Sequence, residues 1–174
     1  TCPCKIIGVT GSDGKTTTTT LIYEILKAGG YNCHLGGNIG IPLFTKVKDF
    51  KEDDIVILEL SSFQLMGMEK SPDISVITNI SPNHLDKHSS YEEYIEAKKN
   101  IFAFQDGNGK VVLNYDNDIT REMAKEAEGK VEFFSSKNKI SDGIVYEKGM
   151  IKECVDGVKK HLIDVQDIHL RGVH

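Results

Sequence analysis

Lys15 and Thr16 close a short loop, Thr10-Gly-Ser-Asp-Gly14, that joins an apolar strand (Lys5 to Thr10) to a helix reading to about Ala28. This order of parts suits the binding of a nucleotide triphosphate. Backbone N–H groups of Gly11, Ser12, Asp13, Gly14 and Thr17 can wrap phosphates, and the helix points its positive end at them. Lys15 can bridge the β- and γ-oxygens, while the Thr16 hydroxyl is placed to hold Mg²⁺. The spacing is not a strict Walker A, because Val9 stands where that pattern needs glycine. Five threonines, Thr16 to Thr20, open the helix. β-Branched residues are poor helix formers, and such a run is better tolerated where hydroxyls near the helix start meet phosphate or metal.

Three further residues could serve such a site. Glu59 lies near the end of an apolar strand, where a carboxylate is costly to bury unless paired or metal-bound. Its place on the loop side suits a Mg²⁺ ligand. His84 follows the strand Ile74–Ile80. A lone loop histidine is more often a surface group, although a position just beyond a parallel strand favours a role in the site. Lys98 shares a helical face with Tyr91, Tyr94, Ile95, Ile101 and Phe102. A lysine there either snorkels outward or serves the site, and spacing alone favours snorkelling. A free ammonium has only donors and could not ligate Mg²⁺.

These residues need a frame to bring them together. Strand patterns at Asp54–Leu60, Ile74–Ile80, Lys110–Asn114 and Val131–Phe134 alternate with helical patterns at Tyr91–Phe104 and Thr120–Glu128. A hairpin reads over Gly143–Lys152, and shorter extended pieces over His161–Leu170. The expected fold is α/β: a mainly parallel, doubly wound sheet with helices on both faces and a small antiparallel sheet near the C-terminus. Ligands of such sheets sit at the carboxyl ends of the strands, where the motifs above lie.

At 174 residues the chain is long enough for one domain with a real core. A net charge of −5 with no basic stripe argues against a nucleic-acid partner. Lacking a signal peptide pattern or a long apolar run, it reads as a soluble cytoplasmic protein with no membrane partner. Cys2, Cys4, Cys33 and Cys154 show neither zinc spacing nor a disulfide framework, and Cys2-Pro-Cys4 reads as incidental.

Five segments occur together and in order: Thr10-Gly-Ser-Asp-Gly-Lys-Thr16, Gly36-Gly-Asn-Ile-Gly40 with Pro42, Glu59-Leu-Ser-Ser-Phe-Gln-Leu65, Asn79-Ile-Ser-Pro-Asn-His-Leu-Asp86, and Tyr94-Ile-Glu-Ala-Lys98. In that order they resemble the Mur ligases, over nearly the whole chain and most strongly from Ile6 to Asp116. The second and third segments are similar to those of the family's D-glutamate-adding members. The resemblance implies an ATP-dependent, ADP-forming amide ligase of peptidoglycan synthesis, acting on UDP-N-acetylmuramoyl-L-alanine and D-glutamate through an acyl phosphate.

Under that resemblance Lys15 neutralises charge on the γ-phosphate. Thr16 and Glu59 hold a first Mg²⁺, and His84 a second. Lys98 matches a lysine that CO₂ converts to a carbamate, an anionic oxygen ligand. Asn38 and Ser61 match contacts to the UDP-sugar, and Asn114 a residue near the adenine. Family members have three domains, so residues 1–174 correspond to the central ATP-binding domain, without the UDP-binding and amino-acid-binding neighbours. Such a domain is expected to be a monomer, inactive by itself.

The loop departs from the family's usual Thr-Gly-Thr-Asn-Gly-Lys-Thr at Ser12 and Asp13. Asp13 puts a carboxylate beside a triphosphate, a repulsion of roughly 3 kcal/mol at about 5 Å and effective dielectric ~20 before screening. Weaker nucleotide binding is therefore expected. Two other classes remain open on sequence: a sibling Mur or folylpolyglutamate-type ligase, and a nucleotide-binding switch or small kinase that makes no amide.

Overall fold

A computed structural model describes residues 2–40, 42–82 and 88–168. Among the described residues nine strands form one sheet in the order β2-β3-β1-β4-β5-β6-β7-β8-β9. They are β1 (Lys5–Thr10), β2 (Cys33–Gly37), β3 (Ile55–Glu59), β4 (Ile74–Ile77), β5 (Lys110–Asn114), β6 (Lys130–Ser135), β7 (Gly143–Glu147), β8 (Met150–Val155) and β9 (Val158–Asp164). From β2 to β7 every pairing is parallel, and β8 and β9 then run antiparallel. The antiparallel part therefore extends the main sheet instead of forming a second one.

Alternation along the strands sends residues to the two faces of the sheet, where three apolar clusters form, the smallest around Cys4, Phe50 and Val56. On one face Ile7, Val9, Ile57 and Val76 pack beneath Ile22, Tyr23 and Leu26 of α1 (Lys15–Ala28). The other face is deeper, joining Leu60, Ile77, Val111 and Leu113 to Leu65, Tyr94, Ile101 and Met123. Those last residues come from α2 (Ser62–Met66), α3 (Tyr91–Lys99) with the turn after it, and α4 (Asp118–Met123). Helices thus cover both faces, as a parallel sheet buried on both sides requires. Among the described residues no helix is long and apolar enough to cross a membrane.

Local rules account for most boundaries. Gly29 and Gly30 end α1, with Gly29 N–H donating to Ile25 O. Ser90 caps α3 by accepting from Glu93 N–H, and Asn117 caps α4 by accepting from Thr120 N–H. Two helices are shorter than their apolar patterns suggest. α3 stops at Lys99, though Ile101 and Phe102 stay buried in the turn that follows. α4 passes into a 3-10 turn at Ala124–Glu126. Lys148-Gly149 and Asp156-Gly157 both have positive φ, the geometry of tight two-residue hairpins. The second of these makes β9, where sequence reading gave only scattered extended pieces. β9 leaves Val158, Leu162 and Ile163 exposed.

A buried carboxylate pins the opposite end of the sheet from the loops. Buried Asp54 accepts from Asn32 Nδ2 at 2.7 Å, from Lys51 N–H at 3.1 Å, and lies 2.8 Å from His34 Nε2. His34 foremost, then the Lys51 N–H, hold the Asp54 carboxyl at about 2. A carboxyl depressed in the fold stabilises above its unfolded pKa and loses that contribution as pH falls through about 4 towards 2. Urea midpoints at pH 6 should therefore separate wild type from Asp54→Asn, and the gap should narrow at pH 3 and close only below about 2. A gap unchanged between the two pH values would refute the linkage.

Candidate functional site

β1 ends in the centre of the sheet, and its loop leaves between β3 and β4. Thr10 is fully buried, its Oγ1 donating to Leu60 O at 2.7 Å. Gly11 has φ 149°, and a Cβ there would lie 1.9 Å from Thr78 Oγ1. No side chain fits at that position. Gly14, with φ 78°, precedes the first helical residue, and Thr18 N–H donates to its carbonyl. The threonine run is partly self-satisfied, since buried Thr19 donates its hydroxyl to Lys15 O at 2.8 Å.

Glu59 is the hub on one side of the loop. Its side chain is 1% exposed. Thr16 Oγ1 donates to Oε2 at 2.8 Å, and Asn38 Nδ2 donates to Oε1 at 2.9 Å. Asn38 reaches it because Gly37 runs hard against β3. A Cβ at Gly37 would sit 2.1 Å from Glu59 O, which also accepts from Asn38 N–H at 2.8 Å. Three residues singled out from distant stretches of sequence thus meet around one carboxylate. A hydroxyl and a carboxylate oxygen are hard donors of the kind Mg²⁺ takes.

Two lysines converge on the other side. Lys15 Nζ donates to Gly11 O at 3.0 Å and to Ser12 O at 2.9 Å. Lys98 Nζ donates to the same Gly11 O at 3.0 Å and to Thr10 Oγ1 at 3.1 Å. Snorkelling is overturned: Lys98 is 2% exposed and its Nζ lies 4.8 Å from the Tyr94 ring centre. The side chain turns inward because the backbone carbonyl and hydroxyl at the end of β1 give its donors partners within the core. Burial, with the Lys15 charge adding to it, pulls the Lys98 amine down to about 7.

Ser12 is also buried. Its Oγ lies 2.9 Å from Tyr94 Oη, donates to Ser81 O at 3.1 Å and accepts from Ser81 N–H at 2.8 Å. Tyr94, read from sequence only as core, therefore touches both the loop and Lys98. Asp13 and Thr17 are exposed. Ser61 caps α2 in a reciprocal box with Gln64, near the Glu59 strand end. Asn114 spends its amide on the sheet, donating to Thr78 O at 2.9 Å and accepting from Asp116 N–H at 2.9 Å. His84 lies outside the described residues. Among the described residues no three His, Cys, Asp or Glu side chains gather in a metal-holding group.

Sequence reading passed over His88, which is buried with Nε2 2.8 Å from Ser62 Oγ and its ring stacked on Phe63. Thr78 was passed over as well, and Asn79, which opens one of the five family segments, was given no role of its own. Both look like ordinary strand-end residues until the loop is packed beside them.

A family model described as the Mur ligase middle domain matches residues 9–174. The chain belongs to the Mur ligase middle-domain family. Proteins of Acetivibrio thermocellus and Ruminiclostridium cellulolyticum, both named UDP-N-acetylmuramoylalanine–D-glutamate ligase, are each 54% identical to it over 173 residues. Those alignments cover 99% of this Mur ligase domain and 37% of either relative, so the chain spans well under half of their length. Among solved structures, a UDP-N-acetylmuramoyl-L-alanyl-D-glutamate–2,6-diaminopimelate ligase superposes with TM-score 0.71 at 25% identity, over 92% of this chain and 39% of that one. The MurF ligase of Thermotoga maritima in complex with ADP gives TM-score 0.63 at 24% identity, over 92% and 41%, and speaks to the fold alone.

Proposed function

We propose that this Mur ligase domain is the ATP-binding part of an ADP-forming amide ligase that adds D-glutamate to UDP-N-acetylmuramoyl-L-alanine. The observation that carries the reading is the buried Glu59 carboxylate held between the first-turn hydroxyl of α1 and Asn38. A mere nucleotide switch has no need to join its phosphate loop to a Gly-Gly-Asn segment. The 54% identical relatives named for D-glutamate support the choice of amino acid.

In the reaction, a carboxylate oxygen of the sugar-peptide attacks the γ-phosphorus and the bond to ADP breaks. The amine nitrogen of D-glutamate then attacks the acyl carbon, phosphate leaves and the nitrogen gives up a proton. Lys15 stabilises charge on the transferring phosphoryl group, with N–H groups from Gly14 to Thr17 holding the phosphates, since those of Ser12 and Asp13, expected from the sequence to join them, already donate to Asn79. Thr16 and Glu59 would hold one Mg²⁺, and His84 with Lys98 a second. When bound, Mg²⁺ would screen the phosphate charges and polarise the γ-phosphoryl group. As an ammonium Lys98 offers no lone pair, but its amine, pulled to about 7, can take up CO₂, losing a proton to become a carbamate with oxygen donors. The Lys15 charge beside it would favour that anion.

Asn38 and Ser61 are assigned to the UDP-sugar side and Asn114 to the adenine side. The ligase is read as a cytoplasmic monomer, in which the flanking domains complete the site. The test is calorimetric titration with a non-hydrolysable ATP analogue and Mg²⁺, wild type against Lys15→Ala, followed by D-glutamate addition in the full-length protein. Binding lost in Lys15→Ala together with wild-type D-glutamate ligation is expected. Binding without any amide formation would leave a nucleotide switch and sink the ligase reading.

A further inference from the structure

Residues 78–79, at the end of β4, grip the crown of the phosphate loop. Asn79 O accepts from Ser12 N–H at 2.9 Å, and Asn79 Oδ1 accepts from Asp13 N–H at 3.0 Å. The Asp13 carbonyl is held from the same side. Thr78 Oγ1 donates to it at 2.6 Å, and Asn79 Nδ2 approaches at 3.4 Å. The Asn79 amide thus meets the Asp13 backbone as a neighbouring strand would, accepting from its N–H and donating to its C=O. Thr78 N–H also donates to Thr10 O at 3.0 Å, so the β1–β4 ladder continues into the loop.

The grip is itself anchored. Asn114 Nδ2 donates to Thr78 O and Asn117 Nδ2 donates to Ile80 O, each at 2.9 Å. Segment 78–80 is therefore tied to the loop on one side and to β5 and the start of α4 on the other.

Two consequences follow for an anion above the loop. The N–H groups of Ser12 and Asp13 are spent on Asn79, leaving those of Gly14 to Thr17 at the start of α1 to face phosphate. The Asp13 carbonyl, turned to β4, cannot swing its negative end towards the phosphates.

We propose that Asn79 and Thr78 are positioning residues for the nucleotide, which fix the Asp13 peptide so that only the N–H groups of Gly14–Thr17 meet the triphosphate. The proposal rests on the ATP-binding reading above and adds to it which loop donors are used and what holds them.

The experiment measures binding of the non-hydrolysable ATP analogue with Mg²⁺, and KM for ATP and for the sugar-peptide carboxylate, in the full-length protein. Variants are Asn79→Ala, Thr78→Val, Thr78→Ser and Lys15→Ala, each with a thermal midpoint. Asn79→Ala and Thr78→Val should weaken nucleotide binding roughly fivefold to thirtyfold, the factor expected of one or two hydrogen bonds. KM for the carboxylate should not move, and Thr78→Ser, which keeps the hydroxyl, should bind like wild type. Wild-type affinity in Asn79→Ala and Thr78→Val, with binding lost in Lys15→Ala, overturns the proposal and leaves the ATP reading standing. Equal losses in Thr78→Ser and Thr78→Val that track their thermal midpoints overturn it too, as a purely structural effect. Unaltered binding in Lys15→Ala would instead bring down the ATP reading itself.

Discussion

Replacing Lys98 by methionine is expected to lower ligase turnover about a hundredfold to a thousandfold in the full-length protein, with nucleotide-analogue binding nearly unchanged. The size follows from losing one preorganised charge-stabilising group in a buried site. Removing dissolved CO₂ and bicarbonate should slow the wild type and leave the variant as it is. A carbamate carbon resonance after ¹³C-bicarbonate labelling should be present only in the wild type. The same lysine leaves a mark on stability. Its charged form is disfavoured in the fold, with the amine lowered from 10.5 to about 7. Between those values the unfolded chain binds the extra proton, so wild-type stability should rise with pH, by on the order of 1 kcal/mol per unit at most. Below about 7 the penalty is complete and the slope ends. Lys98→Met should lack this slope. Full activity in Lys98→Met, or equal slopes in the two proteins, would remove Lys98 from the site.

Glu59→Gln should abolish the Mg²⁺-dependent gain in nucleotide affinity. The carboxylate now accepts from both Thr16 Oγ1 and Asn38 Nδ2. An amide keeps one accepting oxygen, for Asn38 Nδ2, and can turn its NH₂ to the Thr16 hydroxyl, which can accept. The variant therefore keeps the local hydrogen bonds and loses the anionic oxygen suited to Mg²⁺. Titrations in Mg²⁺ and in EDTA should differ for wild type and coincide for Glu59→Gln, with turnover down about a hundredfold or more. A variant that still gains affinity from Mg²⁺ would show that the metal is held elsewhere.

Much of this was legible in the sequence where chemistry and local pattern agree. The loop and its helix, the parallel strands and the pairing of Glu59 with the phosphate loop all follow from apolar runs ending in polar, glycine-rich turns. What was hidden depended on contacts between distant segments. β2 is a strand with two glycines and a histidine, and it becomes legible only once Gly37 is seen against Glu59. Lys98 looked like a snorkelling residue because helical spacing shows the face a side chain lies on, not the carbonyl waiting for it. The early end of α3 was hidden likewise, since Ile101 and Phe102 keep the helical period while the backbone has already turned. Asn79 opens one of the five family segments, but its residue type does not disclose the loop contact, because a strand-end asparagine reads as a turn residue.

The central place of β1 sets an order of events during folding. Its ladder partners are β3 and β4, some fifty to seventy residues further along, whereas β7, β8 and β9 are joined by two-residue turns. The last strands can therefore zip up from their neighbours, while the first waits for the middle of the chain. Because Ser12 and Asp13 are held by residues 78–81, the phosphate loop acquires its shape only after β4 has docked. Amide exchange should display the division, with slow protons in β1 and a separate, faster-opening unit at β7–β9.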